Sequence, residues 1–321
     1  MTALAKEVAK QNTVTVSRLY GDYLIMLAAP CIMAVIYYGA RAFYVLLAGV
    51  LSAVAGDFIV SALLKKKFLI RDLSNIFIGA AISLMMPAGV PLYVPCLAAL
   101  FAVVAVKIPF GGSLRAPFVP AAAGFAFASV CFGDLVFSYT VNVKDKFLGA
   151  ESLGSMLMRG SSVHLNAANT FDILSGNVAG PMGTSCGLLM LACCAYLFVR
   201  RRKALLATAG FVSACAVFAM LFPRINASPL TSLVLELSAG SLMFAAVFLV
   251  TDHATLPKGG AARVVYGAIC GIICMVMRAV GAYEETVCFA VLLANGLRPV
   301  AESAAKAAAA SFKKRKEAQG R

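Results

Sequence analysis

Ten long apolar stretches, separated by short gaps that hold nearly all the charge, constrain this chain to a membrane fold. They run over residues 21–39, 42–64, 74–88, 91–106, 118–139, 184–199, 204–222, 230–250, 262–280 and 285–301. A helix of about 20 apolar residues crosses the roughly 30 Å hydrocarbon layer. Only helices and closed barrels satisfy every backbone group there. Most of the stretches reach that length; 74–88 and 91–106 fall short and read as broken or re-entrant. Charged residues make up 13% of the chain and hydrophobic residues 61%, against about 25% charge in a soluble domain. The expected fold is an all-α polytopic membrane protein of about ten transmembrane helices.

The basic residues predict its orientation. Of 28 lysines and arginines, 22 fall in the two terminal segments and in alternate gaps, including Lys65–Lys67, Arg200–Lys203 and Lys313–Lys316. The other gaps hold Arg41, Lys144, Lys146, Arg159, Arg224 and Arg278. The positive-inside rule then places both termini in the cytoplasm and the long gap 140–183 outside. The net charge of +14 punctuates the apolar stretches instead of forming one patch. Its expected counter-charge is the lipid bilayer, not nucleic acid. Residues 1–20 are polar and lack an apolar signal core, so the first stretch is expected to be an uncleaved anchor.

The organisation that follows is a cytoplasmic segment 1–20, a five-helix half 21–139, an extracytoplasmic loop 140–183, a second five-helix half 184–302 and a basic tail 303–321. An odd number of spans per half makes any duplication an inverted repeat, and such folds put their site near the mid-plane at broken helices. Pro/Gly-rich breaks fall at 87–95 and 109–120, and at Pro223, Pro229, Pro257, Gly259 and Gly260.

Carboxylates inside apolar stretches are costly and mark functional candidates. Asp57 and Glu236 are candidates for an ion pathway, or for helix–helix hydrogen bonds. Asp134 lies near the outer end of the fifth stretch. Asp22, Asp72, Glu284 and Glu285 stand at stretch ends and read as solvated, as do His164 and His253. No metal site is expected from the two histidines. The ten cysteines all lie in or beside apolar stretches. They read as small buried residues, with an iron–sulfur cluster bridging helices as the alternative. No phosphate-binding loop, dinucleotide fingerprint or zinc spacing is present.

Two segments carry a more specific signal: Gly111–Ala121 (GGSLRAPFVPA) and Thr251–Gly260 (TDHATLPKGG). Irregular backbone of this kind is tolerated at a membrane only where it is buried in protein or lines a polar site. With them go Gly176–Ser185 (GNVAGPMGTS), Asp72-Leu73-Ser74 and Arg278–Asn295. Together, in order over residues 18–302, these segments resemble the D-type membrane component of the Rnf electron-transport complex. That family is shared with the B-type component of the sodium-pumping NADH:quinone reductase.

The resemblance implies a urea-channel-like fold in the bacterial cytoplasmic (inner) membrane. It implies a subunit, inactive alone, that works with other membrane and peripheral subunits of an Rnf-like complex. The work implied is electron transfer between ferredoxin and NAD coupled to Na⁺ or H⁺ transport. It also implies a flavin, FMN or riboflavin, in the vicinity of Gly111, Gly112, Pro117, Phe118, Thr251, Asp252 and Thr255. The family attaches FMN to a threonine in a D-x-x-[ST]-G-A-T-P-L segment, here matched by Asp145–Leu153. Glu151 stands at the acceptor position, and Ser152 is one residue out of register. A carboxylate cannot form the phosphoester, so covalent FMN is not expected. Both asparagines of the family's N-P-F-N core are also replaced, by Ala116 and Val119. These departures keep open a channel-like, transporter-like or purely structural subunit of the same fold.

Overall fold

A computed structural model describes residues 3–65, 72–143, 146–149, 151–160, 167–176, 178–225, 228–281 and 283–307. The first half comprises α1 (Ala3–Tyr38), α2 (Ala40–Leu63), α3 (Ser74–Leu84), α4 (Tyr93–Lys107) and α5 (Pro120–Cys131). A short α6 (Gly133–Val136), a hairpin of β1 (Thr140–Val143) and β2 (Lys146–Gly149), α7 (Leu153–Met158) and α8 (Ala167–Ser175) fill the central segment. The second half comprises α9 (Gly187–Arg200), α10 (Arg202–Leu221), α11 (Pro229–Ser238), α12 (Leu242–Leu249), α13 (Gly260–Val280), α14 (Val287–Gly296) and α15 (Arg298–Ala307).

Each expected apolar stretch is helical, but not each is a full span. Four helices are long and apolar enough to cross a membrane: Ser17–Tyr38 within α1, α2, α10 and α13. The count rises to six if the bent pairs α11–α12 (70°) and α14–α15 (63°) each cross once. The other four stretches form the shorter helices α3, α4, α5 and α9. Proline and glycine account for the shortening. Pro87 and Pro91 lie in the turn after α3, Pro120 opens α5 and Gly240, at φ 61°, lies in the α11–α12 bend.

Two details go beyond the sequence reading. α1 starts at Ala3, so the helix extends well ahead of its apolar part. The helical bundle also carries one short hairpin, where β1 and β2 pair antiparallel with Thr140 opposite Gly149. Thr140, Val141 and Val143 favour extended backbone by their branched side chains.

Glycine sets the helix crossings. A Cβ on Gly79 of α3 would lie 2.7 Å from Val50 Cα of α2, and one on Gly271 of α13 would lie 2.7 Å from the Phe211 carbonyl of α10. Contacts of Gly210 with Val264 and of Gly271 with Cys215 advance together, so α10 and α13 run parallel. The end of α3 lies deep in the protein, where carbonyls need partners. Gly183 N–H donates to Leu84 O and Met182 N–H to Met86 O, both at 3.0 Å. Met182 and Gly183 thus close the broken helix.

Candidate functional site

The bundle has two ends. At one, called here the basic end, α2, α4, α9 and α12 finish while α5, α10 and α13 begin. The opposite end carries α7, beside Arg224 and Arg278.

The basic end holds a buried polar network that joins three of the sequence segments. α4 closes with a π-helical turn over Ala102–Lys107, with Ile108 N–H donating to Val103 O at 3.0 Å. Such a turn is frequent at functional positions. Lys107 is 2% exposed. Its Nζ lies 2.6 Å from Asp72 Oδ2, 2.5 Å from Asn75 Oδ1 and 3.5 Å from Asp57 Oδ2. Asn75 Nδ2 donates to Asp57 Oδ2 at 2.7 Å. Ser74 Oγ donates to Asp72 Oδ1 at 2.6 Å, and Ser113 Oγ to Ser74 Oγ at 2.7 Å. Two carboxylates therefore share one ammonium.

Burial alone would raise the Asp72 pKa, but the Lys107 charge and hydrogen bonds from Lys107 and Ser74 outweigh it and hold Asp72 below its ordinary value. Sequence reasoning read Asp72 as solvated and counted Lys107 as a flanking charge. Lys107 is instead buried and Asp72 half-buried against it, because α2, α3 and α4 converge there.

The network extends toward Thr251–Gly260. Ser113 reaches Tyr20 of α1, and Tyr20 Oη donates to Asp252 Oδ1 at 3.4 Å. Tyr23 Oη donates to Thr251 O at 2.5 Å, and the Tyr20 and Tyr23 rings meet Phe77 at 5.5 and 5.3 Å. The chain enters this segment through a second π-helical turn, Ala245–Leu249. Thr251, Asp252 and Thr255 are buried, and each is hydrogen-bonded within the protein. Burial raises the Asp252 pKa to about 6, against hydrogen bonds from Ala254 N–H and Tyr20.

The residues expected around a flavin stand in different surroundings. Gly111 and Gly112 make a turn at φ 88° and 102°. Phe118 lines an apolar groove of about 490 Å³ with Phe101, Phe127 and Phe289. Thr251, Asp252 and Thr255 belong to the tyrosine cluster.

At the opposite end, Glu236 of α11 is gripped by two guanidinium groups. Arg224 Nε lies 2.5 Å from Glu236 Oε1 and Arg278 Nη1 3.1 Å from Oε2. Arg278 also donates to the carbonyls of Glu236 and Ala239 at 2.9 Å. Asp57 and Glu236 are both buried, but they lie in separate networks. Arg224, Arg278 and Arg159 border a cavity of about 580 Å³ against α7. The Nε of Arg278 is buried without a hydrogen-bond partner among the described residues.

Glu284 and Glu285, read from sequence as solvated, are drawn inward. Glu285 accepts from Ser241 N–H at 3.0 Å and Ser241 Oγ–H at 2.8 Å. Burial lifts the Glu284 pKa to about 7, against a hydrogen bond from Ser152 and with the neighbouring Glu285 adding to the rise.

Asp145 and Ala150 of the degenerate flavin-attachment segment, and His164, lie outside the described residues. Glu151 forms an exposed ion pair with Arg159. Ser152 Oγ caps α7, accepting from Ser155 N–H at 3.0 Å, and donates to Glu284. Glu151 carries no hydroxyl, and the Ser152 hydroxyl is turned toward Glu284. Among the described residues no three His, Cys, Asp or Glu side chains gather to hold a metal ion.

Apolar helices long enough to cross a membrane, with broken helices packed between them, make this a multi-pass membrane protein. A sequence profile of the NQR2, RnfD, RnfE family matches residues 4–310, and the chain belongs to that family. It is 26% identical over 297 residues to the D-type component of a Na(+)-translocating ferredoxin:NAD(+) oxidoreductase complex of Acetobacterium woodii, covering 92% of this chain and 89% of the relative. It is 27% identical over 300 residues to the D-type component of an ion-translocating oxidoreductase complex of Ectopseudomonas mendocina, covering 86% of each. Against the B-type component of a Na(+)-translocating NADH-quinone reductase of Chromohalobacter salexigens it is 28% identical over 224 residues, covering 68% of this chain and 54% of the relative.

Proposed function

We propose that this chain is the D-type membrane component of an Rnf-like ion-translocating ferredoxin:NAD⁺ oxidoreductase, coupling electron transfer to Na⁺ or H⁺ movement. The observation that carries this reading is the extent of the match: relatives bearing that name align along about nine-tenths of the chain. The Asp57–Asn75–Lys107–Asp72 network supplies what an ion path needs, since carboxylates outnumber the ammonium they surround. Glu236, held by two arginines, is the second candidate and fits a fixed counter-charge better than a mobile ion's ligand.

Ten spans in two inverted halves, with both termini cytoplasmic, are part of the same reading. Support comes from the parallel pair α10–α13 in one half and from Gly56 of α2 packed on Leu100 and Val104 of α4 in the other. The 22-to-6 division of basic residues supports the orientation.

Any flavin is held without a covalent bond. This reading rests on Glu151, which has no hydroxyl to esterify, and on Ser152 standing one residue out of register. The flavin's phosphate would stand beside Arg159, Arg224 and Arg278, the three arginines that border the cavity against α7. A bound flavin would supply one- and two-electron transfer; the arginines would hold and orient its anionic end. Partners are the other subunits of the complex. The loss of the attachment hydroxyl favours, as a second reading, a non-redox channel-like or structural subunit.

The test is tagged purification from native membranes together with deletion of the gene. Co-purifying redox subunits, and ferredoxin-dependent NAD⁺ reduction lost on deletion and restored by complementation, are expected. A chain that purifies alone from membranes whose activity survives deletion would overturn the first reading.

A further inference from the structure

A cavity of about 440 Å³ opens at the basic end where α9 stops and α10 and α13 start. Arg200, Arg201, Arg202, Lys203 and Arg263 wall it, with His253 at its inner side. Their environments differ. Arg201 is committed inward: Nε reaches Asp22 at 3.3 Å, the other nitrogens meet His253 and Leu19 O, and the guanidinium stacks 4.5 Å from the Tyr23 ring. Arg200 shares Asp22 at 3.3 Å but stays mostly exposed. Arg263 donates to Pro257 O at 3.0 Å. Among the described residues, Arg202, Lys203 and Arg263 have no carboxylate partner. Burial, with Arg201 and Arg263 close by, lowers the His253 pKa to about 4, so it is neutral near pH 7 and adds no charge to the cluster.

The placement of these cations breaks a local rule. Arg202 and Lys203 occupy the first turn of α10, and Arg263 the first turn of α13. The positive end of a helix dipole disfavours cations and attracts anions. Both helices run parallel and side by side, with Gly260 opposite Leu206, so two positive helix ends and three unpaired cations face one space. Such an arrangement is unfavourable unless an anion occupies it.

The surroundings point to the kind of anion. Val199 and Leu256 line the floor of the cavity. Beside it, Phe198, Leu206 and Val264 are exposed apolar residues, and Val199 of the lining is itself exposed. A phosphate group beside acyl chains matches that boundary, and a soluble phosphate matches only half of it.

We propose that this cavity binds the phosphate headgroup of an anionic phospholipid, whose chains lie along α9, α10 and α13. This inference is independent of the redox reading. The lipid would bridge the two halves' meeting point at Asp22, Arg201 and His253, tying the middle of α1 to the start of α10.

The test uses the full-length chain, purified in mild detergent with whatever subunits accompany it. Binding of phosphatidylglycerol or cardiolipin is measured by native mass spectrometry and thermal shift, against phosphatidylcholine, inorganic phosphate and an acidic poly-glutamate peptide. The expected result is retention of the anionic lipid, weakened about tenfold or more in Arg202→Gln/Lys203→Gln/Arg263→Gln and kept in Arg202→Lys/Arg263→Lys. The charge-conserving variant guards against a folding defect in the triple variant. Equal binding of phosphatidylcholine, or lipid binding unchanged in the triple variant, overturns the proposal. Stabilisation by inorganic phosphate equal to that by lipid would overturn it in favour of a soluble-anion site. Preference for the peptide would overturn it in favour of a docking site for an acidic protein segment.

Discussion

Lys107 Nζ lies 2.6 Å from Asp72 Oδ2, tying the π-helical end of α4 to the loop that opens α3. Asp57 of α2 stands 3.5 Å from the same nitrogen. Lys107→Met would leave two inward carboxylates without their cation. Removing one partner of a buried ion pair costs about 3–5 kcal/mol. We expect Lys107→Met to lower the thermal midpoint in detergent sharply and Lys107→Met/Asp72→Asn to recover part of it. A single variant as stable as the parent would show that the ammonium is dispensable.

The arginine grip on Glu236 makes a second, separate prediction. Glu236→Ala leaves Arg278, which is 3% exposed, facing Arg224 without a carboxylate. A loss of about 3–5 kcal/mol is expected, with Glu236→Gln milder because it keeps one acceptor oxygen. Thermal unfolding monitored by size-exclusion chromatography reads the order Ala below Gln below parent. The reverse order would refute the grip.

Helix crossings at glycine should tolerate no side chain. A Cβ at Gly271 would meet the Phe211 carbonyl at 2.7 Å and Ala214 Cβ at 3.0 Å. Gly271→Val is expected to abolish folded protein, whereas Gly112→Ala, with nothing within 4 Å of the new carbon, should cost only the strain of φ 102°. Yields of monodisperse protein compare the two.

Glu284 gives a pH-dependent stability. Its folded pKa, raised by burial to about 7, exceeds the ordinary 4.5. Between these values the unfolded chain releases its proton while the folded chain keeps it. Stability from this group is therefore full below about pH 4.5, falls as pH rises toward 7, and is constant above. The upper bound of the loss is about 3 kcal/mol. Glu284→Gln should flatten the profile in that window. An unchanged slope would mean another group titrates there.

Covalent FMN should be absent. Intact-mass measurement is expected to match the unmodified chain, and in-gel flavin fluorescence should be missing. Glu151→Thr with Leu148→Ser restores the attachment frame and should gain some fluorescence when the flavin transferase is present. An FMN adduct on the unaltered chain would direct peptide mapping to Ser152 and Thr184.

Much of the architecture was legible in the residues themselves. Apolar stretches long enough for helices, broken where Pro87, Pro91 and Gly259 fall, determine a membrane bundle because backbone in lipid must bond to itself; the further break at Gly240, inside the stretch 230–250, appears only in the structure. The glycine-rich segments determine where irregular backbone enters. Glu151 alone argues against the covalent flavin, since the chemistry needs a hydroxyl whatever the fold.

The rest was decided by tertiary structure. Lys107 and Arg278 look like flanking charges along the chain, yet both are buried, because helix convergence sets their partners and no sequence period records it. Ser113 and Asp252, 139 positions apart, come together through Tyr20 only after α1 packs between them. Glu285 reads as solvated at a helix end, and the α11–α12 bend turns Ser241 toward it. The run Arg200–Lys203 reads as a topology signal. It becomes a cavity wall once the parallel packing of α10 and α13 brings Arg263 beside it, because side chains distant in sequence share an electrostatic field only when the fold sets them within a few ångströms.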